Sequence, residues 1–165
     1  MPQVIAATFA DAEAAGKGLA TVAGALGGGL KQGAVVSKAP DGKIRFVETK
    51  DMSAIQGATT GGLVGAVLGI IAGPIGVIGG GAIGAGVGSL AAKLRDSGFP
   101  DAQLRGLGED LSPGEGAIVA LVDDDGVAKA RELLNVVEAR RVVVNDVSTD
   151  LADLLDQEAA ATTGS

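Results

Sequence analysis

The sequence predicts an α+β fold in which two similar strand–helix–strand halves flank a glycine-rich helical hairpin. Three observations support this prediction. Short apolar segments with strand character alternate with segments whose apolar residues recur every three or four positions. The first and last thirds of the chain share the same order of such segments. Between them, no charged residue occurs from Met52 to Ala92, and glycines recur there every fourth residue.

The first half, residues 1–51, contains a predicted helix and three predicted strands. Asp11 is a suitable N-cap for a helix over Ala12–Leu26, and Gly27 follows it as a C-cap. The strands are Gln3–Ala10, Ala34–Lys38 and Lys43–Glu48. The last two strands flank the turn Ala39-Pro40-Asp41-Gly42, whose composition is typical of a β-hairpin.

The central segment, residues 52–95, predicts two helices folded back on each other. Gly73-Pro74 interrupts the segment, because proline ends a helix. The predicted helices are Ser53–Ala72 and Ile75–Leu94. At 1.5 Å per residue each helix is about 27–30 Å long, close to the thickness of a bilayer's hydrocarbon core.

The glycines of this hairpin predict close packing between helices. Each interior glycine costs a helix about 0.5–1 kcal/mol relative to alanine, so favourable contacts must offset the loss. A spacing of four places them on one helical face, where another backbone can approach closely. The predicted helix-packing and oligomerisation residues are Gly57, Gly61, Gly65, Gly69, Gly73, Gly76, Gly80, Gly84 and Gly88. The apolar residues predicted to face a partner are Leu63, Val67, Leu68, Ile70, Ile71, Ile75, Ile78 and Ile83.

The second half, residues 96–149, repeats the strand–helix–strand order, and residues 150–165 form a C-terminal helix and tail. The predicted helices are Pro100–Leu111, Val127–Ala139 and Asp150–Ala160, and the strands are Gly116–Val122 and Arg141–Val147. The last helix is amphipathic. It packs either on its own domain, which we favour, or on a neighbouring subunit.

An internal repeat relates the two halves. An offset of 114 residues aligns Val4 with Ile118, and the same offset aligns Leu19 with Leu133. Two such halves with antiparallel pairing predict a ferredoxin-like sandwich. The glycine-rich hairpin is then an insertion between the halves.

Three stretches of the chain resemble a bacterial family of small proteins of unknown function that are often predicted to be membrane proteins. They are AVVSKAPDGKIRFVETK (Ala34–Lys50), the glycine-rich hairpin, and DSGFPDAQLRGLGEDLSPGEGAIVALV (Asp96–Val122). The resemblance implies a ferredoxin-like frame with a glycine-zipper hairpin. It implies no known activity and no catalytic residue.

Composition excludes several classes of function. The chain contains no Cys and no His, which removes zinc sites, histidine bases and cysteine nucleophiles. Its net charge is −7 without a basic cluster, which argues against nucleic-acid binding. The first residues lack a basic segment followed by a long apolar one, so we expect cytoplasmic synthesis without a signal peptide. We predict no enzyme activity, no catalytic residue, no metal and no cofactor.

Three further features have both a functional and a structural interpretation. Asp123–Asp125 can bind calcium or cap a helix, and we favour the cap because no spaced ligands follow. Glu109, Asp110 and Glu115 can act as acid and base, but we expect solvated turn charges. The glycine triplets at 27–29 and 79–81 lack the Gly-Lys-Ser/Thr of a phosphate-binding loop.

The sequence therefore predicts a homo-oligomerising protein whose glycine-zipper hairpin mediates membrane association. The basic residues that flank the hairpin agree with the positive-inside rule, whereas its glycine content and lack of Trp and Tyr argue against a span. The main alternative is a soluble self-assembling ring, shell or filament with hairpins buried between subunits. A third is a small-ligand regulatory domain. The expected partners are other copies of the chain and a lipid membrane, and we expect the protein to be either membrane-associated or a soluble cytoplasmic assembly.

Overall fold

The structure is a computed structural model that describes residues 1–47, 62–72, 77–78, 87–100 and 102–163. These residues form six strands and six helices. The strands are β1 (Gln3–Phe9), β2 (Leu30–Lys38), β3 (Ile44–Val47), β4 (Val77–Ile78), β5 (Gly116–Val122) and β6 (Arg141–Asp146). The helices are α1 (Ala12–Leu26), α2 (Gly62–Ala72), α3 (Val87–Asp96), α4 (Ala102–Asp110), α5 (Asp124–Val136) and α6 (Thr149–Thr163).

The strands form one sheet in the order β4-β3-β2-β5-β1-β6. Five of them, from β3 to β6 across the sheet, pair antiparallel, and the two-residue β4 pairs parallel to β3. Val119 of the central strand β5 lies opposite Ala6 of β1 on one side and Ala34 of β2 on the other. The predicted α+β class is therefore confirmed.

Local signals in the first half act as the sequence predicts. The Asp11 carboxylate accepts a hydrogen bond from the Ala14 N–H at 2.7 Å and so caps α1. Gly27 ends that helix with φ of 53°. At the turn between β2 and β3, the Gly42 N–H donates to the Ala39 carbonyl at 2.9 Å, and Gly42 has φ of 85°. This left-handed conformation favours glycine because a Cβ strains it.

Helices cover both faces of the sheet. On one face, α1 and α5 pack against the alternating residues Ile118, Ala120 and Val122 of β5. On the other face, α2 packs against Ala117, Val119 and Leu121 together with side chains of α3, α4 and α6. All seven residues of β5 are buried as a result.

Several predicted helix boundaries differ from the structure, among them those at Val77–Ile78 and at the start of α5. Val77–Ile78 was predicted as part of a helix but pairs with Ile44 and Arg45 as a strand. Both residues are β-branched, and the glycines around them in the sequence have low helix propensity. A strand paired with β3 is therefore favoured over a helix at these two residues. Helix α5 begins at Asp124, three residues before the predicted Val127; Asp123 occupies the N-cap position, but its side chain makes no capping hydrogen bond.

The predicted helix Ser53–Ala72 is confirmed over α2, and its residues before Gly62 lie outside the described residues. Helix α3 begins at Val87, within the predicted Ile75–Leu94. Within the described ranges, no helix combines the length and the apolar character that a membrane crossing requires.

Candidate functional site

Helix α2 lies in the core of its own chain. Val67, Leu68 and Ile70 are 0% exposed and Ile71 is 4% exposed, beneath α4 and α6 and against the sheet. The expectation that these four residues face lipid or another subunit is therefore corrected by their burial. The sheet face opposite α1 and α5 buries α2, so these side chains need no outside partner. The side chains of the other four predicted partner-facing residues lie outside the described part of the chain. They are Leu63, Ile75, Ile78 and Ile83.

The predicted glycine surface is described at three positions. Gly65 and Gly69 lie one helical turn apart in α2, and Gly88 lies in α3, which packs against α2. The remaining six predicted glycines lie outside the described residues. They are Gly57, Gly61, Gly73, Gly76, Gly80 and Gly84.

A close helix contact that sequence reasoning missed occurs at Gly108 of α4. A Cβ built there would overlap the Ile71 carbonyl oxygen and lie 2.9 Å from the Ile71 carbonyl carbon. The carbonyl of Gly108 also accepts a hydrogen bond from Lys38 Nζ at 3.1 Å. No four-residue repeat marks Gly108, so only the packing of α4 on α2 identifies it.

Asp123 and Asp124, at the start of α5, form ion pairs. Asp123 lies 3.3 Å from Lys31 Nζ. Asp124 accepts hydrogen bonds from the N-terminal ammonium of Met1 at 2.8 Å and from Gln3 at 3.3 Å. The bond with the ammonium lowers the pKa of the Asp124 carboxyl and raises the pKa of the amine. In the part of the chain that the structure describes, no group of three or more acidic side chains is arranged to hold a metal ion.

Two of the predicted turn charges pair with arginines at the start of β6. Glu115 lies 3.1 Å from Arg140, and Asp110 lies 2.6 Å from Arg141. The Arg141–Asp110 pair is exposed at both side chains, and such pairs contribute only about 0–1 kcal/mol, whereas Glu115 in the other pair is 23% exposed. The sequence does not predict these two ion pairs, because their partners are 25 and 31 residues apart in the chain.

The edge of the sheet at β6 combines three features of an interaction surface. Among the described residues, β6 pairs with β1 alone, so its outer side carries no described strand. A groove of about 170 Å³ between α5 and β6 is lined by Arg131, Asn135 and Val142. Val136 at the end of α5 is 72% exposed. We call this surface, formed by β6 and the last two turns of α5, the β6 edge.

Helix α6 packs on its own domain. Ala152 and Leu155 are buried in the cluster that contains α2. Leu154, on the opposite side of the helix, is 46% exposed. The favoured interpretation of the C-terminal helix is thus confirmed.

A known protein family matches the middle and the second half of the chain. A family model described as "Protein of unknown function (DUF1269)" matches residues 54–160, which is more than half of the sequence. The chain therefore belongs to this family, and the resemblance to a family of proteins of unknown function is confirmed. No curated protein and no solved structure matches the chain.

Proposed function

We propose that this protein is a non-enzymatic, homo-oligomeric structural protein built on a ferredoxin-like frame. The strand order supports the frame. The central strands β1 and β5 are each followed by a helix, α1 or α5, on the same face, and then by β2 or β6, the strands on either side of this central pair. This arrangement is that of two strand–helix–strand halves in one antiparallel sheet. The absence of His and Cys from the sequence supports a role without nucleophilic or histidine-dependent chemistry.

The glycine-rich hairpin in this proposal is an insertion that completes the domain's own core. Helix α2 follows β3 in the chain and precedes the second half, and its apolar side chains pack on the second sheet face. Gly65 and Gly69 let a neighbouring backbone approach α2 closely. The glycine repeat then acts first within one chain, by drawing α3 against α2.

The observation that carries self-association is the β6 edge. An unpaired strand edge presents N–H and C=O groups that can pair with another chain. Here the strand centre consists of Val142, Val143 and Val144, with none of the lysines or prolines that protect many exposed edges.

Size-exclusion chromatography with light scattering, without detergent, tests this proposal. We expect a mass at least twice the 16.0 kDa of one chain, and dissociation on dilution. A mass of 16.0 kDa at every concentration up to the millimolar range contradicts self-association.

Association with a membrane surface is the second candidate function. The uncharged stretch from Met52 to Ala92 and the basic residues Lys93 and Arg95 after it favour this candidate. Fractionation of cells that express the untagged protein separates the two. A membrane-associated chain sediments with membranes and resists extraction at high salt and alkaline pH, whereas the assembly proposed above stays in the supernatant.

A further inference from the structure

We infer that two copies of this chain pair through β6 about a two-fold axis at Val143, which joins their sheets into one continuous antiparallel sheet. The inference rests on the proposed self-association and names its surface, symmetry and register. The partner is a second copy of this chain.

The hydrogen-bond pattern between β1 and β6 shows which backbone groups of β6 point outward. The Val147 N–H donates to the Pro2 carbonyl at 2.9 Å, just beyond the pair Gln3–Asp146. Because hydrogen-bonded pairs alternate in an antiparallel ladder, Val143 directs its N–H and C=O toward β1. Val142 and Val144 then direct theirs toward the outer side of β6. These two residues supply the backbone donors and acceptors for a new strand.

The side chains of β6 divide between the two sheet faces. Val143 packs with the cluster that contains α2, whereas Val142 and Val144 pack with α1 and α5. In a continuous sheet, opposed residues must share a face, so a two-fold axis must pass through a residue position and not between two positions. The candidates are axes at Val142, Val143 and Val144.

Of these three axes, only the one at Val143 pairs the valines of one copy with the valines of the other. It places Val142 opposite Val144 of the second copy, and Val143 opposite its own equivalent. An axis at Val144 would place Val142 opposite Asp146, and an axis at Val142 would place Val143 opposite Arg141. Cross-strand pairs of β-branched side chains stabilise sheets, whereas these alternatives oppose an apolar and a charged residue.

Charge supports the same antiparallel arrangement. Strand β6 is preceded by Arg140 and begins with Arg141, and it ends with the exposed Asp146. Antiparallel pairing brings the acidic end of each copy beside the basic end of the other. Both arginine side chains are exposed enough, at 57% and 42%, to receive a second carboxylate besides Glu115 and Asp110.

The groove between α5 and β6 completes the surface. Val142 lines it together with Arg131 and Asn135. In the Val143-centred dimer, Val144 of the second copy lies directly beside Val142 on this face. The second copy therefore covers the groove.

A series of single-cysteine variants tests the register, because the native chain has no cysteine. Val143→Cys places two thiols in an opposed, non-hydrogen-bonded pair with a Cα separation of about 4.5 Å, within the disulfide range of about 4.4–6.8 Å. In Val142→Cys and Val144→Cys the equivalent thiols lie on a diagonal, about 7–8 Å apart. Under mild oxidation we expect Val143→Cys to form a covalent dimer on a non-reducing gel at least tenfold faster than the other two variants.

A charge variant tests the same interface without altering a buried residue. Asp146→Lys turns two opposite-charge contacts per dimer into like-charge contacts, so we expect the dissociation constant to rise by about tenfold or more. Asp153→Lys makes the same change of charge at an exposed position of α6 and should leave the constant unchanged. Circular dichroism verifies that both variants are folded.

The results separate this inference from the proposal on which it rests. A monomeric mass for the wild-type chain contradicts both the inference and the proposed self-association. An oligomeric mass with cross-linking that is fastest at position 142 or 144 contradicts the register at Val143. An oligomeric mass with no cross-linking at any of the three positions contradicts pairing through β6. In both cases the proposed self-association stands. Equal dissociation constants for Asp146→Lys and the wild type likewise overturn the inference while self-association stands.

Discussion

Replacement of Gly108 by alanine measures how closely α4 approaches α2. The new Cβ would overlap the Ile71 carbonyl, a backbone group that cannot rotate away, and would lie 3.1 Å from Ile71 Cγ2. Helix α4 must therefore move outward, and overpacking of this kind costs about 1–3 kcal/mol. Alanine recovers about 0.5–1 kcal/mol of helix propensity, which partly offsets the cost.

Gly106, two residues earlier in α4, provides the matched control. A Cβ there meets only Arg141 Nη2 at 3.8 Å, which is an ordinary contact. Because both substitutions gain helix propensity in the same helix, the difference between them isolates the steric cost of about 1–3 kcal/mol. Urea unfolding followed by circular dichroism measures this difference. For a chain of this size it corresponds to about 2–12 °C in melting temperature. Equal stability of Gly108→Ala and Gly106→Ala would refute the close approach.

Three further substitutions test other contacts by the same unfolding measurement. Leu68→Ala should cost about 2–5 kcal/mol because Leu68 is 0% exposed, and Leu154→Ala, at a residue 46% exposed, should cost less than about 1 kcal/mol; similar costs would mean that α2 is not part of the core. Gly18→Ala places a Cβ 2.6 Å from Phe9 Cζ, so its cost should fall by about 0.5–3 kcal/mol when Phe9 is replaced by Leu, whereas additive costs would disprove the contact. Asp11→Ala should remove the cap of α1 and cost about 0.5–2 kcal/mol, and an unchanged stability would show that the cap contributes nothing.

The sequence predicts those parts of the fold whose signals are local. Asp11 marks the start of α1, the turn at Pro40-Asp41-Gly42 marks the β2–β3 hairpin, and the apolar run Gly116–Val122 coincides with β5. Each depends on residues within a few positions of one another. Val77–Ile78 was mispredicted because its strand character comes from β3, more than 30 residues away, and no neighbouring residue records that pairing.

The candidate site likewise combines features that local sequence predicts with features that depend on distant residues. The valines of β6 are visible in the sequence as a strand, but their position at a sheet edge depends on the pairing of β1 with both β5 and β6. The ion pairs of Arg140 and Arg141 likewise depend on where α4 and the turn before β5 come to lie. A single sequence therefore shows which residues are present but not which of them lie close together in the fold.

The burial of α2 follows from the apolar sheet face beneath it. That face presents Ala6, Ala34 and Ala117 among larger residues such as Val119 and Leu121. The alanines leave room for α2 to lie close to the sheet, and the larger side chains share one buried cluster with Val67, Leu68 and Ile70 of α2, so the two layers gain dispersion contacts. Because α2 occupies the second sheet face, its buried apolar residues need neither lipid nor a partner. The outer edge of β6, where no described strand pairs, is then the surface at which we expect a second chain to bind.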